Sequence, residues 1–251
     1  MRRSAVSSRS RPHGGLSPAD GVTAPPGGAV VDAVRMPLLP RVVRAAFADA
    51  LTLVLPVDCA GCDAPDTALC DSCRAALTPR VRRREVGGIA VWSGLAFEGA
   101  AARVIRALKQ ESRTGLAAVL APALAEAVAA ARGGGPVVVV PIPTSAAAYR
   151  RRGYRVPELL ARRAGLRVER ALGSGRRTAD QRGLARGERR RNVAGSFLVV
   201  RPMADRRIVV VDDVVTTGAT LVEAVRVLRA AGAEVVGCAT VASTPRLVPA
   251  G

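Results

Sequence analysis

Apolar residues recur along this chain with more than one spacing, and each spacing predicts a different element. From Val43, the positions Val43, Ala46, Phe47, Ala50, Leu51 and Val54 follow the i, i+3, i+4, i+7 pattern of an amphipathic helix, ended by Pro56. The commoner use of such a face is packing on its own domain; docking on a partner or a membrane surface is the alternative. The segment GGIAVWSG reads as a strand, because β-branched and aromatic residues sit between glycines. Residues 100–131 read as helix in two pieces, broken near Gly115. The run Val137 to Ile142, fed by GGGP, suits a strand buried on both faces. RRIVVVDDVVTTGATLVEAVRVLRAAGAEVVGCATVA then reads strand, loop, helix, strand. In its helix Leu221, Val225 and Leu228 share one face, and Gly232 suits the C-cap. Strands alternating with helices predict an α/β fold built on a parallel sheet with right-handed crossovers.

Residues 1–35 are rich in Ser, Pro, Gly and Arg without periodicity and are expected to form a disordered basic tail, with Met36 as an alternative start; residues 244–251 form a second tail. The first residues carry arginines but no apolar core, so they are not a secretory signal. No apolar run reaches the roughly 18–20 residues of a membrane span. The expectation is a soluble, cytoplasmic protein.

At 251 residues and 49% apolar, the chain has enough material for one or two packed domains. Its 38 basic and 20 acidic residues leave a net charge of +18, yet Lys109 is the only lysine. A Walker-type nucleotide loop, which needs Gly-Lys followed by Ser or Thr, is therefore excluded, since Lys109 lies in ALKQES. Aromatic residues make up 2%, too few for reading single strands by stacking. The single histidine, His13, sits in the tail, so histidine-based acid–base chemistry is not expected.

The segment VVVDDVVTTGATL carries the most chemistry. An apolar run ends in Asp212 and Asp213, where the carboxyl ends of parallel strands border a ligand crevice. The following bend offers Thr216, Thr217, Gly218, Ala219 and Thr220 just ahead of a helix N-terminus. There, backbone N–H groups and the helix dipole favour a phosphate, and the glycine allows close approach. Carboxylates for sugar hydroxyls beside a phosphate cradle describe a ribose 5-phosphate pocket. A receiver-type phosphorylation site would need a lysine on a later strand, and none follows Lys109.

CAGCDAPDTALCDSC sets Cys59, Cys62, Cys70 and Cys73 as two C-x-x-C pairs separated by seven residues. Each pair can turn two thiolates on one ion, and four thiolates suit tetrahedral Zn²⁺ in a structural role. A redox dithiol or unligated thiols are the alternatives, while Cys238 reads as a buried strand residue. Between Arg150 and Arg191 lie 15 arginines against Glu158, Glu169, Asp180 and Glu188, so 11 of the 18 net charges fall in this stretch. Arg150, Arg151 and Arg152 are candidates for diphosphate or nucleic-acid phosphates; a solvated basic face is the competing reading.

Together these segments resemble a known family. VVVDDVVTTGAT is similar to the phosphoribosyl-diphosphate (PRPP) fingerprint of type I phosphoribosyltransferases. The four-cysteine cluster, VVPIP, RRRGYRVPELLARRAG and RTADQRGLARGERRRNVAGSF resemble, in order and spacing, the ComF family of competence-associated proteins. The resemblance covers roughly residues 36–243. It implies an α/β, type I phosphoribosyltransferase-like parallel sheet flanked by helices over residues 86–243. A small N-terminal zinc-binding module with its amphipathic helix would occupy 36–85. It further implies that Asp212 and Asp213 hold the ribose 2′- and 3′-hydroxyls while Thr216–Thr220 wrap the 5-phosphate. The loop bearing Pro141, Pro143 and Thr144 would lie against the diphosphate, with Mg²⁺ bridging ligand oxygens. A mobile lid over residues 176–196 would carry Arg189 or Arg190 towards the leaving diphosphate, a role that guanidinium suits. Arg155 and Val156 stand where family members often have an amide pair. The function so implied is phosphoribosyl transfer linked to DNA uptake. The rival is a non-catalytic PRPP sensor or a single-stranded-DNA-handling protein acting with competence machinery.

Overall fold

The structure, a computed structural model, describes residues 57–175 and 195–245, all within one structural unit spanning 47–251. The basic tail, the helix expected at 43–54, and Arg189 and Arg190 lie outside the described residues. In chain order the elements are α1 (Asp71–Ala75), β1 (Arg82–Val86), β2 (Ile89–Ala96), α2 (Gly99–Gln110), α3 (Leu116–Ala131) and β3 (Val138–Pro141). They continue with α4 (Ala146–Arg152), α5 (Val156–Arg163), β4 (Leu172–Ser174), β5 (Phe197–Val199), β6 (Arg207–Val215), α6 (Ala219–Ala230) and β7 (Glu234–Ser243).

Five strands form one sheet in the order β1-β2-β7-β6-β3. β2, β7, β6 and β3 run parallel, as the alternating pattern predicts. β1 adds one antiparallel edge strand, paired with β2. Its sequence, RRREV, has no buried face to announce it, and the signal lies in the turn. Gly87 and Gly88 take φ of +57° and +75°, the two left-handed positions of a tight hairpin turn.

The sheet is buried on both sides. Val209 and Val211 of β6 face a core built with α2, α3 and α5, whereas Ile208 and Val210 face α6 and the antiparallel pair β4–β5. α3, an alanine-rich helix, comes very close to β2: a Cβ on Gly94 would lie 2.2 Å from the Ala123 carbonyl oxygen. Among the described residues no helix is long and apolar enough to cross a membrane.

The path of the chain around β3 creates a topological switch point, where a ligand crevice is expected. β3 pairs with β6 from Val138↔Ile208 to Pro141↔Val211, and on its other side makes a single parallel bridge, Val139↔Val168. The chain thus leaves β3 outwards through α4 and α5, reaches Val168, and returns on the opposite side of β3 as β6. Strand order reverses between β3 and β6, the place where open α/β sheets bind ligands at the strands' carboxyl ends.

Candidate active site

Asp212 and Asp213 sit at the mouth of that crevice. The last contact of β3 with β6 is the Ile142 N–H donating to the Val211 carbonyl at 2.8 Å. From the next residue onwards β6 has lost this neighbour, although it remains paired with β7 through Asp212↔Thr240 and Val214↔Ala242. The acids therefore occupy the first two positions past the end of β3, two pairs before β6 itself stops. The apolar level of the sheet ends here too: Thr240 lies opposite Asp212, and its hydroxyl is 2.7 Å from that of buried Ser93 on β2.

Neighbours on a strand project to opposite faces, and the two acids meet different surroundings. Asp213 shares the side of Val211 and accepts a hydrogen bond at 2.8 Å from the Lys109 ammonium at the end of α2. Asp212 takes the α6 side, and its Oδ1 accepts from the Asp213 N–H at 2.8 Å. Burial of the Asp212 carboxyl, then the charge of Asp213, push it up to about 8 against smaller pulls from the Asp213 N–H and then Lys109. The two acids so differ in their surroundings: Asp213 is ion-paired with Lys109, whereas Asp212 is raised well above the usual carboxylate range.

The bend that follows has the expected form. Gly218 has φ +78° and stands at the N-cap of α6. A Cβ there would lie 2.4 Å from Val86 Cγ1, so both conformation and space call for glycine. Thr216 and Thr217 are exposed, and the Thr217 hydroxyl accepts from the Ala219 N–H at 3.4 Å. Arg84, on the edge strand β1, donates to the Thr216 carbonyl at 2.8 Å and fastens the bend from outside. Ala219 and Thr220 open the helix, partly exposed.

On the facing side, Pro141 closes β3 and is buried, while Pro143 and Thr144 are half-buried in the loop leading to α4. Ser145 caps α4, accepting from the Ala148 N–H at 3.3 Å. Arg150, Arg151 and Arg152 form the last turn of α4, where cations complement the helix dipole. Arg162 and Arg170, from the same basic stretch, are used structurally: they clamp Glu158, which is 5% exposed, at 2.7–2.9 Å. Hydrogen bonding from Arg170 first, resisted by burial and reinforced by Arg162, holds Glu158 below the usual carboxylate range.

Two contributors escape sequence reasoning, Lys109 and Tyr154. Ser112, with φ +56°, lies just past the end of α2 and leaves the Leu108 carbonyl among the helix's unpaired acceptors. The Tyr154 hydroxyl, from the RRRGYR run, donates to it. Lys109 is the next residue, so ALKQ, RGYR and VVDD converge on one corner although they are distant in sequence.

The sequence matches the phosphoribosyl transferase domain family over residues 112–248. The chain belongs to this family. It is also 32% identical over 107 residues to Competence protein F of Haemophilus influenzae, a match covering 39% of this chain, in keeping with the ComF resemblance. The chain spans about half of that relative's length, 47%. Among solved structures it is similar to the allosteric regulatory enzyme of purine biosynthesis, at 22% identity and a TM-score of 0.33, covering 50% of this chain and 26% of the other. It is similar also to Leishmania donovani UMP synthase, at 16% identity and a TM-score of 0.31, covering 68% and 30%.

The four cysteines precede the phosphoribosyl transferase domain match. The Sγ atoms of Cys59, Cys62, Cys70 and Cys73 all lie within 4.8 Å of one another, with Cys59–Cys70 and Cys62–Cys70 at 3.6 Å. Thiolates about 2.3 Å from a zinc ion form a tetrahedron with edges of about 3.8 Å, so the cluster could hold zinc with little rearrangement. Burial would raise the Cys59 thiol, but N–H groups of Cys70 and Gly61, at 3.3 and 3.4 Å, outweigh it and bring it down to about 6. Gly61 keeps the turn open, because a Cβ there would meet Cys73 Sγ at 2.5 Å. Arg113, just inside the domain match, donates to the carbonyls of Asp58 and Ala68 at 2.9 and 2.8 Å and ties the cysteine module to the loop before α3. Cys238 is buried on β7, as expected, and burial pushes its thiol up to about 12.

Proposed function

We propose that the crevice between β3 and β6 binds PRPP or a related ribose phosphate and that the chain transfers the phosphoribosyl group to an acceptor. The observation that carries this reading is the placement of Asp212 and Asp213 at the open rim of β6, directly before a glycine-containing bend that starts α6. Their carboxylates would accept from the ribose hydroxyls. The N–H groups and hydroxyls of Thr216–Thr220 would donate to the 5-phosphate, aided by the dipole of a 12-residue helix. Pro141, Pro143 and Thr144 would line the diphosphate side, and Arg189 and Arg190 would approach the departing diphosphate from their segment.

Mg²⁺ bound with the ligand would neutralise diphosphate charge. Such an ion needs only one or two protein carboxylates, and the acid pair fits that donor set. What the protein must add is stabilisation of the charge that gathers on the leaving group. The name of the Haemophilus relative supports a link to competence, in which the chain would act on or beside incoming single-stranded DNA, with Arg150 and Arg151 exposed for phosphate contact.

Calorimetric titration with PRPP and Mg²⁺ tests the pocket. Wild-type protein is expected to bind, and Asp212→Asn/Asp213→Asn to lose binding; equal binding by both proteins refutes the assignment. DNA affinity with a steep salt dependence, untouched by those changes but lost when Arg150–Arg152 are replaced, would favour a DNA-handling role instead.

A further inference from the structure

Lys109 lies three residues before the phosphoribosyl transferase domain match begins, yet its ammonium reaches an acid of the crevice, at 2.8 Å from Asp213 Oδ1. The Asp213 side chain is 10% exposed and that of Lys109 29%, so the acid is largely buried while the ammonium keeps contact with solvent. An ammonium has three donors, and among the described residues its hydrogen-bond partner is Asp213. In a chain with 38 basic residues this is the one lysine. A compact, rotatable ammonium can serve a carboxylate oxygen and ligand oxygens together, where the planar guanidinium is committed to its fork.

The two faces of β6 say which part of a ligand it would meet. The helix N-terminus suited to a 5-phosphate is on the α6 side, with Asp212. Lys109 comes from α2 on the other side, with Asp213. An anion that reaches Lys109 is therefore a second group on the sugar, at its far end.

We propose that Lys109 is a ligand-binding residue for the diphosphate of a phosphoribosyl diphosphate, and that Tyr154 positions it by capping the Leu108 carbonyl. Before the ligand arrives, the ammonium pairs with Asp213 and keeps that acid oriented; with ligand present it donates to diphosphate oxygens as well. This rests on the ribose-phosphate reading above and adds the residue that distinguishes PRPP from ribose 5-phosphate.

The only other amine in the chain is the α-amino group, so amine-specific acetylation read by mass spectrometry reports on Lys109 directly. On the full-length protein, PRPP with Mg²⁺ should slow acetylation of Lys109, and ribose 5-phosphate should not. In calorimetry, Lys109→Met should weaken PRPP by about tenfold or more, the loss of one charge-assisted contact, and should weaken ribose 5-phosphate clearly less, through the loosened Asp213 alone. Lys109→Arg should recover part of the loss. Tyr154→Phe should speed acetylation of Lys109, which a merely structural hydroxyl would not do. If Lys109→Met fails to fold, protection of the wild-type lysine decides. Wild-type protein that binds PRPP without protecting Lys109, or a folded Lys109→Met that binds PRPP equally well, overturns this inference and leaves the crevice reading intact. Wild-type protein that binds no PRPP overturns both.

Discussion

Asp212 shows how much one buried carboxyl can change. Its ordinary value of 3.8 is raised to about 8 by burial and by Asp213, with Lys109 opposing and the neutral Cys238 thiol on the same side. Between those two pH values the native chain holds a proton that the unfolded chain has released, so this group lowers stability progressively as pH climbs from about 4 to about 8 and no further above that. Asn keeps the oxygen that accepts the Asp213 N–H and removes the charge. Asp212→Asn should therefore melt several degrees above wild type at pH 8, with the gap closing towards pH 4; a gap that is constant with pH, or reversed, would show that Asp212 is an ordinary ionised acid. The acid pair itself was legible as a sequence, since two carboxylates ending an apolar run have few uses. Lys109 was not. A lysine on an amphipathic helix looks like any solvated cation, and its partner lies 104 residues away.

At the scale of elements, periodicity gave what it can give. The break near Gly115 separates α2 from α3, the Leu221, Val225 and Leu228 face is buried, and the run at Val137 to Ile142 contains β3. Elements with no buried face stayed hidden: β1 is a row of arginines held by a hairpin turn, and α4 exposes most of its residues. The cysteine module was legible because thiol spacing is a geometric statement. Among the described residues it has one short helix, α1, and a small core of Leu69, Leu77 and the cysteines packed against α2. So small a unit needs a staple. Purified protein should carry about one equivalent of zinc, with the four module thiols reacting only after chelation. Less than about half an equivalent, with those thiols freely reactive, would remove zinc from the account.

At the scale of the molecule, the arrangement depends on how closely α3 rides on the sheet. Its alanines allow an approach that no side chain on Gly94 could share, for the Ala123 carbon and oxygen would stand 2.2–2.7 Å from the new methyl group. Gly94→Ala should cost about 3 kcal/mol or more, the scale of overpacking against backbone that cannot yield, seen as a large drop in the urea midpoint. A change below about 1 kcal/mol would mean that the helix shifts freely. Strand order could not be read from the chain: pattern shows which segments are strands, but the return of β6 to the inner side of β3 is decided by tertiary packing of both faces. That return puts the acids at an open rim. One further consequence comes from their alternation. A sugar gripped by both would sit astride the sheet like a rider, one foot on each flank, and its arrival would draw together two helical layers that pack on opposite faces of the strands.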